Sequence, residues 1–287
     1  MLTETLHYLK LKKDGVYIDG TFGGGGHSRP ILEKLANGKL IAFDCDEKAL
    51  NSNVINHSSL ILINDNFANL EAHLQKLNFC LVDGFLFDLG LSSFQLIDDQ
   101  CGFSYRQDAP LDMRMDNRNK IKAEDIINDY SCEELADIFY YYGEERKARV
   151  IARKICERRQ KEKITSTQQL VSIIASCFIK SKKKHPARKA FQALRIAVND
   201  ELENLKVGLK SALKSLAPGG RIVVISYHSL EDRIVKQTFK EYSGDKEKFC
   251  LIIKKPLMPT LEEIIINNRA RSAKMRIIEK KIIINSS

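Results

Sequence analysis

The hydrophobic pattern changes period twice along the chain. Up to about residue 90, short apolar runs alternate with amphipathic stretches. "GVYIDG", "GKLIAFDCD", "SLILINDNF" and "VDGFLFDLG" have the length and apolar density of buried strands. The segments between them, "HSRPILEKL", "EKALNSNVI" and "FANLEAHLQKL", read as helices. Strands alternating with helices predict an α/β fold with a parallel, doubly wound sheet. The alternation then stops at a polar, irregular stretch, "GFSYRQDAPLDMRMD". From Ala123 the pattern is helical, and "TSTQQL" offers a hydroxyl cap followed by glutamine, a helix-start signal. No strand pattern interrupts this block, so an inserted all-helical domain is expected over 104–198, with the sheet domain built from 1–103 and 199–287. "NDELENLKVGLKSALKSLAPGG" reads as a helix stopped by Pro-Gly-Gly. "RIVVISYHS" is again a buried strand, and "KFCLIIKKP" and "KMRIIEKKIII" read as two closing strands.

Ligands of open α/β sheets bind beyond the carboxyl ends of the strands. Asp19, Asp44, Phe67 and Asp88 all fall near such ends, and the first is followed by four consecutive glycines in "YIDGTFGGGGHS". Such a run costs helix or strand stability, so it marks a sharp turn or a close approach of backbone to something. A phosphate loop needs Gly-Lys-Ser/Thr, and here His27-Ser28 follows. A dinucleotide loop needs G-x-G-x-x-G, and from Gly23 or Gly24 the last glycine would be Ser28 or Arg29. S-adenosylmethionine fits better, having no phosphate to cradle. Gly23, Gly25 and Gly26 would give it close backbone approach. Asp19 would hold its amino group, Asp44 its ribose hydroxyls, and Asp65 and Phe67 its adenine, leaving Asp88 facing the reactive methyl. Taken singly, each aspartate is equally a turn or cap residue.

"DLGLSSFQ" follows the fourth strand. An exocyclic amine on a base is a poor nucleophile because its lone pair is delocalised into the ring. Acceptors on its hydrogens can localise that pair, and Asp88, Ser92 and Ser93 could serve; a serine-rich turn is the alternative. In "SYHSLEDR", His228 is either a base for the released proton or a structural histidine.

Composition narrows the partners. The chain of 287 residues is 44% hydrophobic and 29% charged, as a globular protein is. No apolar run nears the roughly 18 residues of a membrane helix and no secretory segment is visible, so a cytoplasmic protein with no membrane partner is expected. The seven cysteines form no C-x-x-C pair, which predicts reduced thiols and no metal site. Net charge is +9, which favours a polyanion, although a lysine-rich composition alone would give the same excess. Lys182, Lys183, Lys184, Arg188 and Arg195 cluster in "KSKKKHPARKAFQALR", and Arg269 and Arg271 in "RARSAKMR". Both runs suit an RNA backbone, or a solvated face. In "PLDMRMD", an extended chain would put Asp112, Arg114 and Asp116 on one face, lining a base pocket or forming a salt-bridge cluster. The tyrosines of "FYYYG" can stack on bases, but in so apolar a helix they are expected in the core.

In combination and order, "YIDGTFGGGGHS", "DLGLSSFQ", "GFSYRQDAPLDMRMD", "YGEER", "HPARKAFQALRIAVNDEL", "APGGRIVVISYHSLEDRIVK" and "NNRARSAKMR" resemble a known family. It is that of the bacterial S-adenosylmethionine-dependent methyltransferases acting on the N(4) amine of a decoding-region cytosine in 16S ribosomal RNA. The resemblance covers nearly the whole chain. It implies a Rossmann-like class I methyltransferase sheet with an inserted helical domain, and cofactor contacts at Gly25, Gly26, His27, Asp44, Phe67, Asp88 and Gln95. It also implies 16S rRNA as partner, within the small ribosomal subunit, for a monomer or homodimer. Tyr227 stands where that family usually has phenylalanine. Three rivals stay open: a DNA amino methyltransferase, which would carry Asp/Asn-Pro-Pro-aromatic in place of "DLGL"; a non-catalytic RNA-binding module; and a nicotinamide dehydrogenase, against which the missing G-x-G-x-x-G speaks.

Overall fold

Helix α1 (Leu2–Leu9) leads into β1 (Val16–Asp19), and the chain then alternates as its hydrophobic pattern requires. α2 (Ser28–Leu32), β2 (Lys39–Phe43), α3 (Glu47–Ser52), β3 (Leu60–Ile63), a 3-10 turn at Phe67–Asn69, α4 (Leu70–Lys76) and β4 (Val82–Asp88) follow. The computed structural model describes residues 1–52, 55–91, 101–178 and 185–282. Two compact units divide the chain: Met1–Gly90 with Leu202–Ser287, and Leu91–Glu201.

The second unit is helical. It contains α5 (Ala123–Asp129), α6 (Cys132–Asp137), a π turn at Ile138–Tyr142, α7 (Ala148–Arg159), α8 (Thr167–Ala175) and α9 (Arg188–Asn199). Its start at Leu91 precedes the expected residue 104 for a physical reason. The stretch read as a polar loop sends Phe103, Leu111 and Met113 into the helical core, with Cys101 and Tyr105 packed against it. Capping boxes begin α6, where Ser131 and Glu134 satisfy each other's backbone, and α8, where Ser166 and Gln169 do the same. One expectation about cysteine is corrected here, because Cys132 and Cys156 are joined, with Cα atoms 6.2 Å apart.

The first unit resumes with α10 (Glu201–Ser215), β5 (Leu216–Ser226), α11 (Ser229–Tyr242), β6 (Phe249–Leu251), α12 (Leu261–Ile266), a 3-10 turn at Asn268–Ser272 and β7 (Lys274–Lys280). Its seven strands form one sheet in the order β3-β2-β1-β4-β5-β7-β6. The strands from β3 to β5 are parallel, while β7 pairs antiparallel with β5 and with β6. β4 is buried from Gly84 to Phe87 and β5 from Ile222 to Ser226, which explains the apolar runs Phe-Leu-Phe and Ile-Val-Val-Ile there. The predicted stop of α10 at Pro-Gly-Gly is also corrected. The helix ends at Ser215, and Ala217–Gly220 form the irregular start of β5. There Val82 pairs with Leu216 and Gly84 with Arg221, so two steps along β4 span five along β5. Gly219 takes a φ of 78° in this bulge, a conformation that costs a glycine little.

Candidate active site at the carboxyl edge of the sheet

β1, β2 and β4 are neighbours, so their terminal residues converge at one edge of the sheet. The glycine run turns there with φ of 52° at Gly23 and 72° at Gly25. An added Cβ at Gly26 would meet nothing within 4 Å, so the loop backbone opens onto free space. At Gly20 the reverse holds: a Cβ would lie 2.6 Å from the Phe87 ring, and the chain has to pass that ring bare.

The acids divide the work of holding this loop. Asp44 Oδ2 accepts the Gly23 N–H at 2.7 Å and its Oδ1 the Asp46 N–H at 2.9 Å. Asp19 Oδ2 accepts the Ser28 hydroxyl at 2.7 Å and its Oδ1 the Thr21 N–H at 3.1 Å. Asp19 is only 1% exposed and anchors the loop from within. The Asp88 side chain is 26% exposed. Its N–H donates to Thr21 Oγ1 at 2.7 Å, Tyr227 donates its hydroxyl to Oδ1 at 2.8 Å, and His27 Nδ1 lies 3.4 Å from Oδ2.

The electrostatics follow from burial. Desolvation pushes the Asp44 carboxyl up to about 6 against the help of the Asp46 and Gly23 amides. It also raises Asp19, which the Ser28 hydroxyl and His27 pull back down, and Asp88, which His27 and the Tyr227 hydroxyl pull back down while the Asp19 charge adds to the rise. Burial and the Asp88 charge drive the Tyr227 phenol upward, so this hydroxyl stays a donor across the accessible pH range. Among the described residues, no lysine or arginine side chain pairs with Asp19, Asp44 or Asp88.

Phe67 opens the turn after β3. Its ring packs edge to face on Phe87 at 5.3 Å and lies where a Cβ on Gly208 would fall, leaving it half-buried beside the strand ends. Asp65 is engaged by His73 at 2.8 Å and Asn69 at 3.0 Å.

His228 is corrected from candidate base to helix cap. Its Nδ1 accepts the Glu231 N–H at 3.3 Å at the start of α11, while Nε2 sits 3.0 Å from Glu231 Oε1 without hydrogen-bond geometry. The ring's accepting nitrogen is therefore spent on the cap. Ser92, Ser93 and Gln95 lie outside the described residues, as do Lys182, Lys183 and Lys184.

The remaining basic candidates separate. Arg114 is internally satisfied: it donates to both oxygens of Asp112 at 2.7 and 2.8 Å and to the carbonyls of Asn117 and Asn119 at 3.2 and 2.7 Å. Met113 turns with a φ of 60°, so the chain there is not extended and the shared face of Asp112, Arg114 and Asp116 does not form. Asp116 pairs with Arg118 instead. Arg195 is held by Glu201 at 2.7 and 2.9 Å. Both arginines build the helical unit and have little left for RNA. Arg188, Arg269 and Arg271 are exposed.

Sequence reasoning missed Thr21, Ser28, Asn199 and the hydroxyl of Tyr227. Asn199 receives the Met115 N–H at 2.8 Å and donates to the Met113 carbonyl at 2.8 Å, tying "PLDMRMD" to the end of α9. No spacing rule points to such long-range partners.

A sheet of this order with a reversed β7, a bare glycine loop after β1 and acids at the ends of β1, β2 and β4 defines an α/β methyltransferase of the Rossmann-like class I type. Residues 1–281 match the MraW methylase family. The chain belongs to that family. It is 46% identical over 301 residues to the ribosomal RNA small subunit methyltransferase H of Halothermothrix orenii, covering 98% of this chain and 97% of that one. Its counterpart of the same name from Carboxydothermus hydrogenoformans is 47% identical over 300 residues, covering 98% and 96%. Among solved structures, an rRNA methylase from Streptococcus thermophilus overlays with a TM-score of 0.45 at 13% identity, covering 97% of this chain and 95% of that one.

Proposed function

We propose that this protein transfers a methyl group from S-adenosylmethionine to the exocyclic N(4) amine of a cytosine in the decoding region of 16S ribosomal RNA, acting in the cytoplasm on the small subunit. The observation that carries the reading is the setting of Asp88. It ends β4 at the head of "DLGLSS", half-open, with one carboxylate oxygen fixed by Tyr227 and the other beside His27. That geometry suits an acceptor for amine hydrogens better than a loop-building acid, whose oxygens would both be turned inward as those of Asp19 are.

The donor supplies an electrophilic methyl on a sulfonium centre. Around it, Gly25, Gly26 and His27 would provide backbone surface, Asp44 would accept from hydroxyls while holding Gly23, and Phe67 would offer an apolar edge. The absence of a lysine or arginine partner for the three acids favours a cationic ligand over an anionic one. Positioning and an acceptor-lined pocket are the main demands of such a displacement, so a dedicated base is not required. Ser92 and Ser93 would add further acceptors. The target base has to leave its stack to reach this edge. Support for the RNA substrate comes from the family and from relatives named as small-subunit rRNA methyltransferases.

The test uses adenosylmethionine labelled in its methyl group with unmodified small subunits, naked small-subunit RNA and DNA, followed by digestion to nucleosides. Labelled N(4)-methylcytidine from RNA is expected. Label in DNA would move the protein to the DNA amino methyltransferases. Cofactor binding without label in any substrate would favour a binding module.

A further inference from the structure

Of the tyrosines of "FYYYG", Tyr142 packs against the helical core as expected, but Tyr140 and Tyr141 do not. Tyr140 and Tyr141 are 57% and 62% exposed, and their rings meet edge to face with centroids 5.1 Å apart. They stand on a π turn of the helical unit, a geometry that rotates side chains out of α-helical register and recurs at functional sites. Phe139 of the same turn is fully buried, so the turn is fastened from beneath while the ring pair stands in water.

The flank of the turn is fixed as well. Gln192 donates to the Tyr142 carbonyl at 3.3 Å, and the Lys189 ammonium donates to the Glu144 carbonyl. Gly143 backs onto α9 so closely that a Cβ would come within 2.8 Å of the Lys189 carbonyl. The first turn of α9, carrying exposed Arg188, therefore lies beside the tyrosines. Exposed Arg146 and Arg149 follow directly in the chain. Of the nearby acids, Glu145 is buried with Oε1 accepting the Lys147 N–H at 2.9 Å and Glu134 is engaged in the Ser131 cap, leaving Glu133, Asp137 and Glu144 at the surface.

We propose that Tyr140 and Tyr141 form a stacking platform for unpaired bases of single-stranded RNA, with Arg146, Arg149 and Arg188 taking its phosphates. This rests on the RNA substrate argued above and adds a site to it. Rigid aromatics ringed by cations are how single strands are held without sequence readout, since every base has a π face.

The experiment measures binding of a fluorescein-labelled oligouridylate and of an RNA duplex of equal length, at fixed salt. The chain contains no tryptophan, so quenching of its tyrosine emission gives a second, direct signal of stacking. Tyr140→Ala/Tyr141→Ala is expected to weaken oligouridylate binding about fivefold to a hundredfold. Tyr140→Phe/Tyr141→Phe should stay within about twofold of the parent, because stacking needs the ring and not the hydroxyl. Adenosylmethionine affinity and the thermal midpoint should be unchanged in both variants. Parent-like binding by the alanine pair would overturn the platform, as would equal loss in the phenylalanine pair. Unchanged oligouridylate affinity together with weaker association with small subunits would also overturn it and assign the rings to a ribosomal protein. If the parent itself binds neither RNA, the failure belongs to the proposed RNA substrate and not to these residues alone.

Discussion

Two sets of aspartates in this protein live under opposite rules. Asp232 is buried, and burial alone would raise its carboxyl, but Arg276 at 2.7 Å and Lys274 at 3.1 Å more than offset this and hold it below the usual range. Asp112 is held down in the same way against burial by the Arg114 fork. Asp19, Asp44 and Asp88 are desolvated at least as strongly and end above the usual range. The difference is the partner. Asp232 and Asp112 are matched with lysine and arginine side chains, whereas among the described residues the acids at the strand ends have amides, hydroxyls and one histidine as neighbours, with the amino terminus acting on Asp88 from a distance. A fold keeps charge under that strain where a ligand completes the match.

The comparison breaks most sharply at Asp88. Asp88→Ala should lower single-turnover methyl transfer by about a hundredfold to a thousandfold, as loss of a preorganised polar partner does elsewhere, while the thermal midpoint holds or rises. Near-parent turnover would remove Asp88 from the chemistry. Asp232→Ala should do the reverse. It strands two cations at the β5–β7 pair, costs about 1–3 kcal/mol of stability in urea titration, and leaves turnover per folded molecule unchanged.

A pH series sharpens the contrast. Asp44 has a native value of about 6 against an ordinary 3.8, so between these values the native state binds the extra proton and ligand-free stability falls as pH rises. An accepting carboxylate is needed for a ribose, so adenosylmethionine affinity should climb from pH 5 to about 7 and then level. Asp44→Asn should flatten both trends, seen by calorimetry and thermal unfolding; an unchanged slope would place the titration elsewhere. The smallest effect is expected from Tyr227→Phe, which restores the usual family residue. It deletes a bond that lowers the Asp88 carboxyl, so the acid limb of the transfer rate should move to higher pH with only a few-fold loss of rate.

Much of this was legible from the chain. Buried parallel strands announce themselves as apolar runs, and acids that end them stand out against that background. What stayed hidden depends on long-range or unusual partners. Asp19 looks like Asp44 in sequence, and only the Ser28 hydroxyl turns it inward. His228 and Glu231 had capping-box spacing, but histidine is a rare cap, so its chemistry drew attention instead. The salt-bridge alternative for Arg114 was legible beside Asp112, whereas Arg195 looked free because its partner Glu201 lies past the end of its helix, beyond the turn at Asp200. The exposed tyrosines were hidden because an α-helical periodicity cannot reveal a π turn.

The strand order also carries a consequence for synthesis. Phe87 in the centre of β4 takes its neighbour from Val224 of β5, whereas β1 is already made when β4 emerges. In between, the whole helical core, from Phe103 to Val198, is translated. A nascent chain halted near residue 200 would thus possess every side chain of the helical core but only half a sheet. That half would end in β4, apolar on both faces, as a bare edge. The vulnerable interval in making this protein is the time the ribosome takes to reach β5, and slower translation across the helical unit would lengthen it.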